Sequence, residues 1–352
     1  MKRLSVRSWI SIITFVLIGV VLFLSRHELA HAWSLLGRVD VWILFLLIPV
    51  VMIGYLAAGE MVFSYLRQKH LIKEVSIWTQ MRMSLELNFV NHILPSGGVS
   101  GMSYMNWRLG KFGVPGGKAT MAQAVRYIMG FASLIALLVI AVFLVTIDGH
   151  VNRWIILMSS TLVFLMIFVT VIAIALLSNP DRLSFIVSRL GRACNKIVRK
   201  ITFGRVQQAI HPDKLAASLV DMHDDYVELM RDKRILLKPF LWGVFFTITE
   251  IAIFWIVFWA LGSPVNPAPI LIAQGLAGMV ATFFATPGGA GGYEAIMVLF
   301  LAATSMASST ALAGVLLART SLIILTIASG YVCYNAALKK YGKNGTPPPV
   351  RQ

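Results

Sequence analysis

The chain has 352 residues, of which 58% are hydrophobic and 13% charged, and its mean hydropathy is +0.78. That balance excludes a soluble globular protein and defines a polytopic membrane protein, because apolar runs long enough to cross a bilayer recur along the sequence. Lys and Arg number 31 against 15 Asp and Glu, a formal net charge of +16.

The N-terminal MKRLSVRS precedes an apolar run, Trp9 to Leu24. This has the outline of a signal peptide, but no small-residue cleavage site follows, so it reads as a retained first span. Full crossings are predicted at about 9–25, 41–66, 119–147, 151–178, 235–261 and 309–337. Two further apolar regions, 79–112 and 268–305, fold around Pro/Gly breaks, LPSGGVSG at Leu94 to Gly101 and TPGGAGG at Thr286 to Gly292. A break of this kind frees backbone N–H and C=O groups, which lipid does not tolerate unless protein or a water-filled cavity surrounds them. Both regions therefore read as re-entrant helical hairpins.

The predicted organisation is all-α, about six full spans with two hairpins. Residues 1–40 form a first span and an outer amphipathic segment, and 41–178 a first membrane repeat with an extra span. Residues 179–234 form a cytoplasmic amphipathic segment, with Arg182, Arg189, Arg192, Lys196, Arg199, Lys200 and Arg205 ahead of Asp221, Asp224, Asp225 and Glu228. A second, inverted membrane repeat occupies 235–338, and 339–352 is a disordered tail. Cys194, in the basic segment, and Cys333, in an apolar span, provide neither a disulfide framework nor ligand spacing.

The distribution of charge orients the chain. Of the 31 Lys and Arg residues, the predicted outer loops hold only Arg26, Arg38 and Arg153. The positive-inside rule then places both termini in the cytoplasm. The net charge reflects that orientation and attraction to anionic headgroups rather than nucleic-acid binding.

Orientation makes the two halves inverted repeats. The first runs inward, takes a hairpin from the cytoplasm and runs outward; the second does the reverse. Landmarks fall in register: Glu60, Pro95 and Arg126 are separated by 35 and 31 residues, and Glu250, Pro287 and Arg319 by 37 and 32. Breaks in corresponding positions of two halves point to a transporter's binding site. Charges inside a membrane segment are costly and call for partners, and the expected ones are Glu60 with Arg126 and Glu250 with Arg319. The two arginines suit a phosphate, which their planar fork bonds bidentately. The breaks, with Pro95, Ser96, Gly97 and Gly98 in one half and Pro287, Gly288 and Gly289 in the other, add N–H groups at half-helix N-termini. Asn88, Asn91, Ser96, Thr286 and Glu294 read as polar caps of the broken helices.

At this point the sequence resembles a known family. NFVNHILPSGGVSG at Asn88 to Gly101, then WRLGKFGVPGGKA, and later TPGGAGGYEAIMVLFLAA followed by LLART, look like the lysylphosphatidylglycerol synthase transmembrane region family, also called the flippase-like domain family. The resemblance covers nearly the whole chain. It implies lipid movement rather than lipid aminoacylation, since the 352 residues include no soluble synthase domain. The expected protein is a multi-pass bacterial inner-membrane flippase or transporter of an anionic lipid: a phospholipid, a glycolipid or a polyprenyl phosphate. No cofactor is implied; the expected partners are that lipid, the bilayer and a lipid-modifying enzyme.

Two readings compete. His27, Glu28 and His31 spell HELAH, the spacing that sets two zinc ligands one helical turn apart with a glutamate as general base. A catalytic zinc needs a third ligand, and the nearest echo is Asp148 in IDG. This would be an intramembrane metalloprotease. The other reading is a non-transporting scaffold or regulator of a lipid-modifying enzyme. The glycine runs lack the GK[ST] of a phosphate-cradling loop, so ATP-driven pumping is not expected.

Overall fold

A computed structural model describes residues 34, 37, 39–73, 75–93, 99–147, 153–177, 189, 232–281, 291–304 and 306–341. The chain divides into two compact units, 32–167 with 233–352, and 1–31 with 168–232. The description below concerns the larger. It is all-α, with no strand among the described residues.

A short helix α1 (Val41–Leu44) leads into α2 (Leu47–Gln68). The first hairpin is α3 (Ile77–Ile93) with α4 (Val99–Gly110). Then come α5 (Gly116–Ile147) and α6 (Arg153–Leu177), of which residues up to 167 belong to this unit. After a 3-10 turn at Lys233–Leu236, α7 (Leu237–Ala260) precedes the second hairpin, α8 (Pro267–Ala281) with α9 (Gly292–Ala303), and α10 (Ser308–Tyr341) closes the unit. Among the described residues, four segments are long and apolar enough to cross a membrane: Val41–Gln68, Gly116–Phe143, Lys233–Ala260 and Ser308–Tyr341.

Local chemistry sets the ends of these helices. Asp40 Oδ1 accepts the Trp42 N–H at 2.9 Å, satisfying a donor that the first turn of α1 cannot pair internally. At the far end of α7, Gly262 sits at φ +70° and Ser263 N–H reaches back to Phe258 O at 3.0 Å, a left-handed C-terminal stop that only glycine adopts without strain. Gly113, at φ +84°, does the same after α4, with Val114 N–H on Leu109 O at 3.2 Å.

The antiparallel pair α2 and α7 forms the centre. It is tied at one end by Asp40 N–H on Ala260 O (2.9 Å) and at the other by Gln68 Nε2 on Ile235 O (3.0 Å). Small residues let the backbones approach, as membrane helix pairs without a hydrophobic drive between them require. A Cβ added at Gly54 of α2 would lie 2.9 Å from Thr249 Oγ1 of α7. Around this pair, the first arm of each hairpin packs on the last helix of the other half, α3 on α10 and α8 on α5. Exposed Trp42 and Trp259 mark one end, and Trp78 marks the other, where an aromatic ring suits the membrane interface.

The four long segments, α6 and the two hairpins fall where the sequence places them, and the first span, 9–25, lies outside the described residues. The arms α4 and α9 have 12 residues each. That length reaches roughly 18 Å, short of a hydrocarbon core of about 30 Å. One boundary is corrected. Helix α10 runs to Tyr341 instead of giving way to a tail at 339, because the Tyr341 ring is held by the Arg108 guanidinium at 4.5 Å and by the Phe112 ring at 6.3 Å. The segment 179–231, apart from residue 189, and the tail from 342 lie outside the described residues.

Candidate functional site

A cavity of about 300 Å³ opens among α2, α5, α7, α8 and α9. Its polar lining is Arg126 and Tyr127 on α5, Thr247 and Glu250 on α7, Gln274 on α8 and Tyr293 on α9; Phe131 and Leu134 give it an apolar flank. Arg126 lies ten residues into α5 and Glu250 thirteen into α7, roughly 15–20 Å from the N-terminal ends of these helices and hence near mid-membrane depth.

Arg126 forms no ion pair or hydrogen bond among the described residues. Its guanidinium stands 5.8 Å from the Tyr127 ring centroid, and Tyr55 is the other group within electrostatic reach. Tyr55 hydrogen-bonds Thr326 of α10. This arginine thus lies beside one aromatic ring in a cavity, with no carboxylate paired to it among the described residues.

Arg319 is differently placed. Its Nε–H donates to Glu294 Oε1 at 2.8 Å, and its guanidinium lies 4.4 Å from the Tyr293 ring centroid. The Arg319 charge also reaches Glu250 and, on the first hairpin, His92. Glu294 has a second task, because its Oε2 accepts the Gly291 N–H at 2.6 Å at the start of α9. Gly291 adopts φ +92°, a conformation glycine takes freely. Gln274 Nε2 donates to the Glu250 backbone carbonyl at 3.3 Å and its side chain hydrogen-bonds Tyr293, so hairpin and α7 meet at the cavity wall.

The expected pairing of Glu60 with Arg126 is corrected. Glu60 pairs with Arg67, two turns along the same helix, where the long arginine side chain folds back over α2. Glu250 and Arg319 face each other electrostatically, but the direct ion pair of Arg319 is with Glu294, whose position on α9 next to α10 brings it closer. Asn91 and Glu294 cap as expected, Asn91 Oδ1 accepting the Gly101 N–H at 2.9 Å and so joining the two arms of the first hairpin. Asn88 instead donates to Ser84 O within its own helix, at 2.9 Å. Pro95, Ser96, Gly97, Gly98, Thr286, Pro287, Gly288 and Gly289 lie outside the described residues, as do His27, Glu28, His31 and Asp148. Among the described residues no cluster of three His, Cys, Asp or Glu could hold a metal.

Sequence reasoning missed Tyr55, Tyr127, Gln274 and Tyr293, which carry no motif of their own. It also missed a second buried pair. Arg108 Nε donates to Glu86 Oε2 at 2.8 Å, and Tyr104 OH donates to the same oxygen at 2.9 Å. Arg108 falls at the end of the predicted first hairpin region without a motif of its own, and it is only 4% exposed.

Fold and cavity together define a multi-pass membrane protein with two broken-helix hairpins and ionisable residues at mid-membrane depth. The family model of the lysylphosphatidylglycerol synthase TM region matches residues 8–330, and the chain belongs to that family. None of the curated proteins compared matches the chain.

Proposed function

We propose that this protein carries an anionic lipid between leaflets, with the headgroup in the cavity against Arg126 and the acyl chains in the bilayer. The observation that carries the reading is Arg126 itself, a mid-membrane cation in a cavity with no carboxylate paired to it among the described residues. Such a charge calls for a partner, and an arginine fork bonds a phosphate bidentately. Gln274, Tyr127 and Tyr293 supply hydrogen-bonding groups to the same space, and Phe131, half-exposed on α5, gives acyl chains an apolar flank toward lipid.

The packing supports alternating access by two inverted repeats. In such repeats equivalent contacts recur in both halves, as they do here for α3 on α10 and α8 on α5. Rocking of one half against the other about the α2/α7 pair would open the cavity to either leaflet. Arg319, clamped by Glu294, then acts as a positioning residue that holds Tyr293 at the cavity wall.

Mass spectrometry of lipid that copurifies with the protein tests the binding half of this reading. Wild type is expected to carry anionic lipid in near-stoichiometric amount, and Arg126→Gln to lose it while eluting as wild type does. Equal anionic lipid in both proteins would sink the assignment.

A further inference from the structure

We propose that Glu250 is a proton site coupled to anion binding, so that a headgroup seated against Arg126 enters together with a proton on Glu250. This rests on the lipid-carrier reading and names what balances the charge.

Glu250 lines the same cavity as Arg126, yet its carboxylate makes no hydrogen bond or ion pair among the described residues. The groups that face it come from every helix packed around α7. Helix α2 brings Tyr55, α5 brings Arg126 and Tyr127, α8 brings the neutral Gln274, α9 brings Tyr293 and α10 brings Arg319. Helix α1 has no titratable side chain, and Lys233 and Arg234 are exposed in the 3-10 turn at the other end of α7.

Counting charges around the cavity gives Arg126 and Arg319 against Glu250 and Glu294. The formal charges of the empty site cancel. Glu294 is engaged by the Arg319 Nε–H and by the Gly291 N–H. Glu250 has no such contact. An anionic headgroup on Arg126 leaves one negative charge in excess in a space of about 300 Å³. Like charges in a confined, poorly solvated site favour protonation of one of them, and Glu250 is the carboxylate free to accept it. The proton comes from water, forms an O–H bond on the Glu250 carboxyl and leaves when the anion leaves.

The sign follows. Raising the pH makes the proton scarcer and weakens anion binding; lowering it strengthens binding until Glu250 is protonated without ligand.

The test uses the full chain in detergent and weak buffer, with a pH indicator and a short-chain phosphatidylglycerol as probe. In wild type, binding is expected to take up close to one proton per lipid, and affinity to fall by up to ~10-fold per pH unit across the range in which uptake occurs. Glu250→Gln should bind lipid with no uptake and no such pH dependence, and Glu250→Asp should restore both. Lipid binding by wild type without proton uptake, or uptake unchanged in Glu250→Gln, would overturn the coupling and leave the carrier reading standing. Failure of wild type to bind this lipid or a phosphatidic acid probe would overturn both.

Discussion

Glu294 of α9 and Arg319 of α10 meet at 2.8 Å, and the same carboxylate caps the N-terminus of α9 through Gly291 at 2.6 Å. One side chain therefore fixes a hairpin arm to its neighbouring helix and engages Arg319 beside the cavity-wall residue Tyr293. Both members are largely buried, at 13% and 16% side-chain exposure. Replacing Glu294 by Gln removes a charge-assisted bond and leaves Arg319 without its closest counter-charge. We expect a loss of about 1.5–3 kcal/mol, measured as denaturant or thermal unfolding in detergent. A stability equal to wild type would show that the hairpin does not depend on this contact.

The Glu86–Arg108 pair gives a sharper version of the same test, with side-chain exposures of 2% and 4%. Arg108 also stacks over Tyr341, so it joins the base of the first hairpin to the end of α10. Arg108→Ala strands a buried carboxylate, and the expected cost is about 3–5 kcal/mol. Glu86→Leu combined with Arg108→Met should cost less than either single change, because no lone charge remains. A double-mutant cycle checks this.

Close helix approach yields a third expectation. A Cβ at Gly314 of α10 would collide with the ring of Phe258 on α7, a residue that is fully buried. Gly314→Ala should therefore destabilise by about 1–3 kcal/mol through overpacking, and Phe258→Leu should recover part of the loss in an unfolding titration.

Much of the fold was legible because membrane helices announce themselves by length and apolar content, and the hairpins by Pro and Gly where lipid forbids broken backbone. Glu250, Arg126, Arg319 and Glu294 stood out for the same reason, as charges in apolar sequence. Their partners did not. Glu60 could reach Arg67 or Arg126, and only the direction of its side chain on α2 decides. Arg108 sat at the end of the first hairpin region with no motif of its own, and its stacking partner Tyr341 comes from the far end of the chain. The cavity was invisible, since its walls come from five helices and residues such as Gln274 and Tyr127 have meaning only in that assembly.

Arg319 and Arg126 looked equivalent by spacing, but their surroundings differ: Arg319 is paired with Glu294, and Arg126 lines the cavity with no carboxylate paired to it among the described residues. Arg319→Lys keeps a charge near Glu294 and gives up the geometry of its guanidinium fork, so its expected effect is partial, a several-fold loss of lipid translocation with folding retained. Arg126→Lys is expected to retain binding with reduced preference for phosphate headgroups. Competition between phosphate-headgroup and carboxylate-headgroup lipids would read that change.

The most direct measurement is translocation of a headgroup-labelled anionic phospholipid across proteoliposome membranes, comparing wild type with Arg126→Ala at matched protein content and matched thermal stability. Wild type is expected to move the lipid well above protein-free vesicles, and Arg126→Ala to fall to that background. Translocation by Arg126→Ala at the wild-type rate would contradict the account.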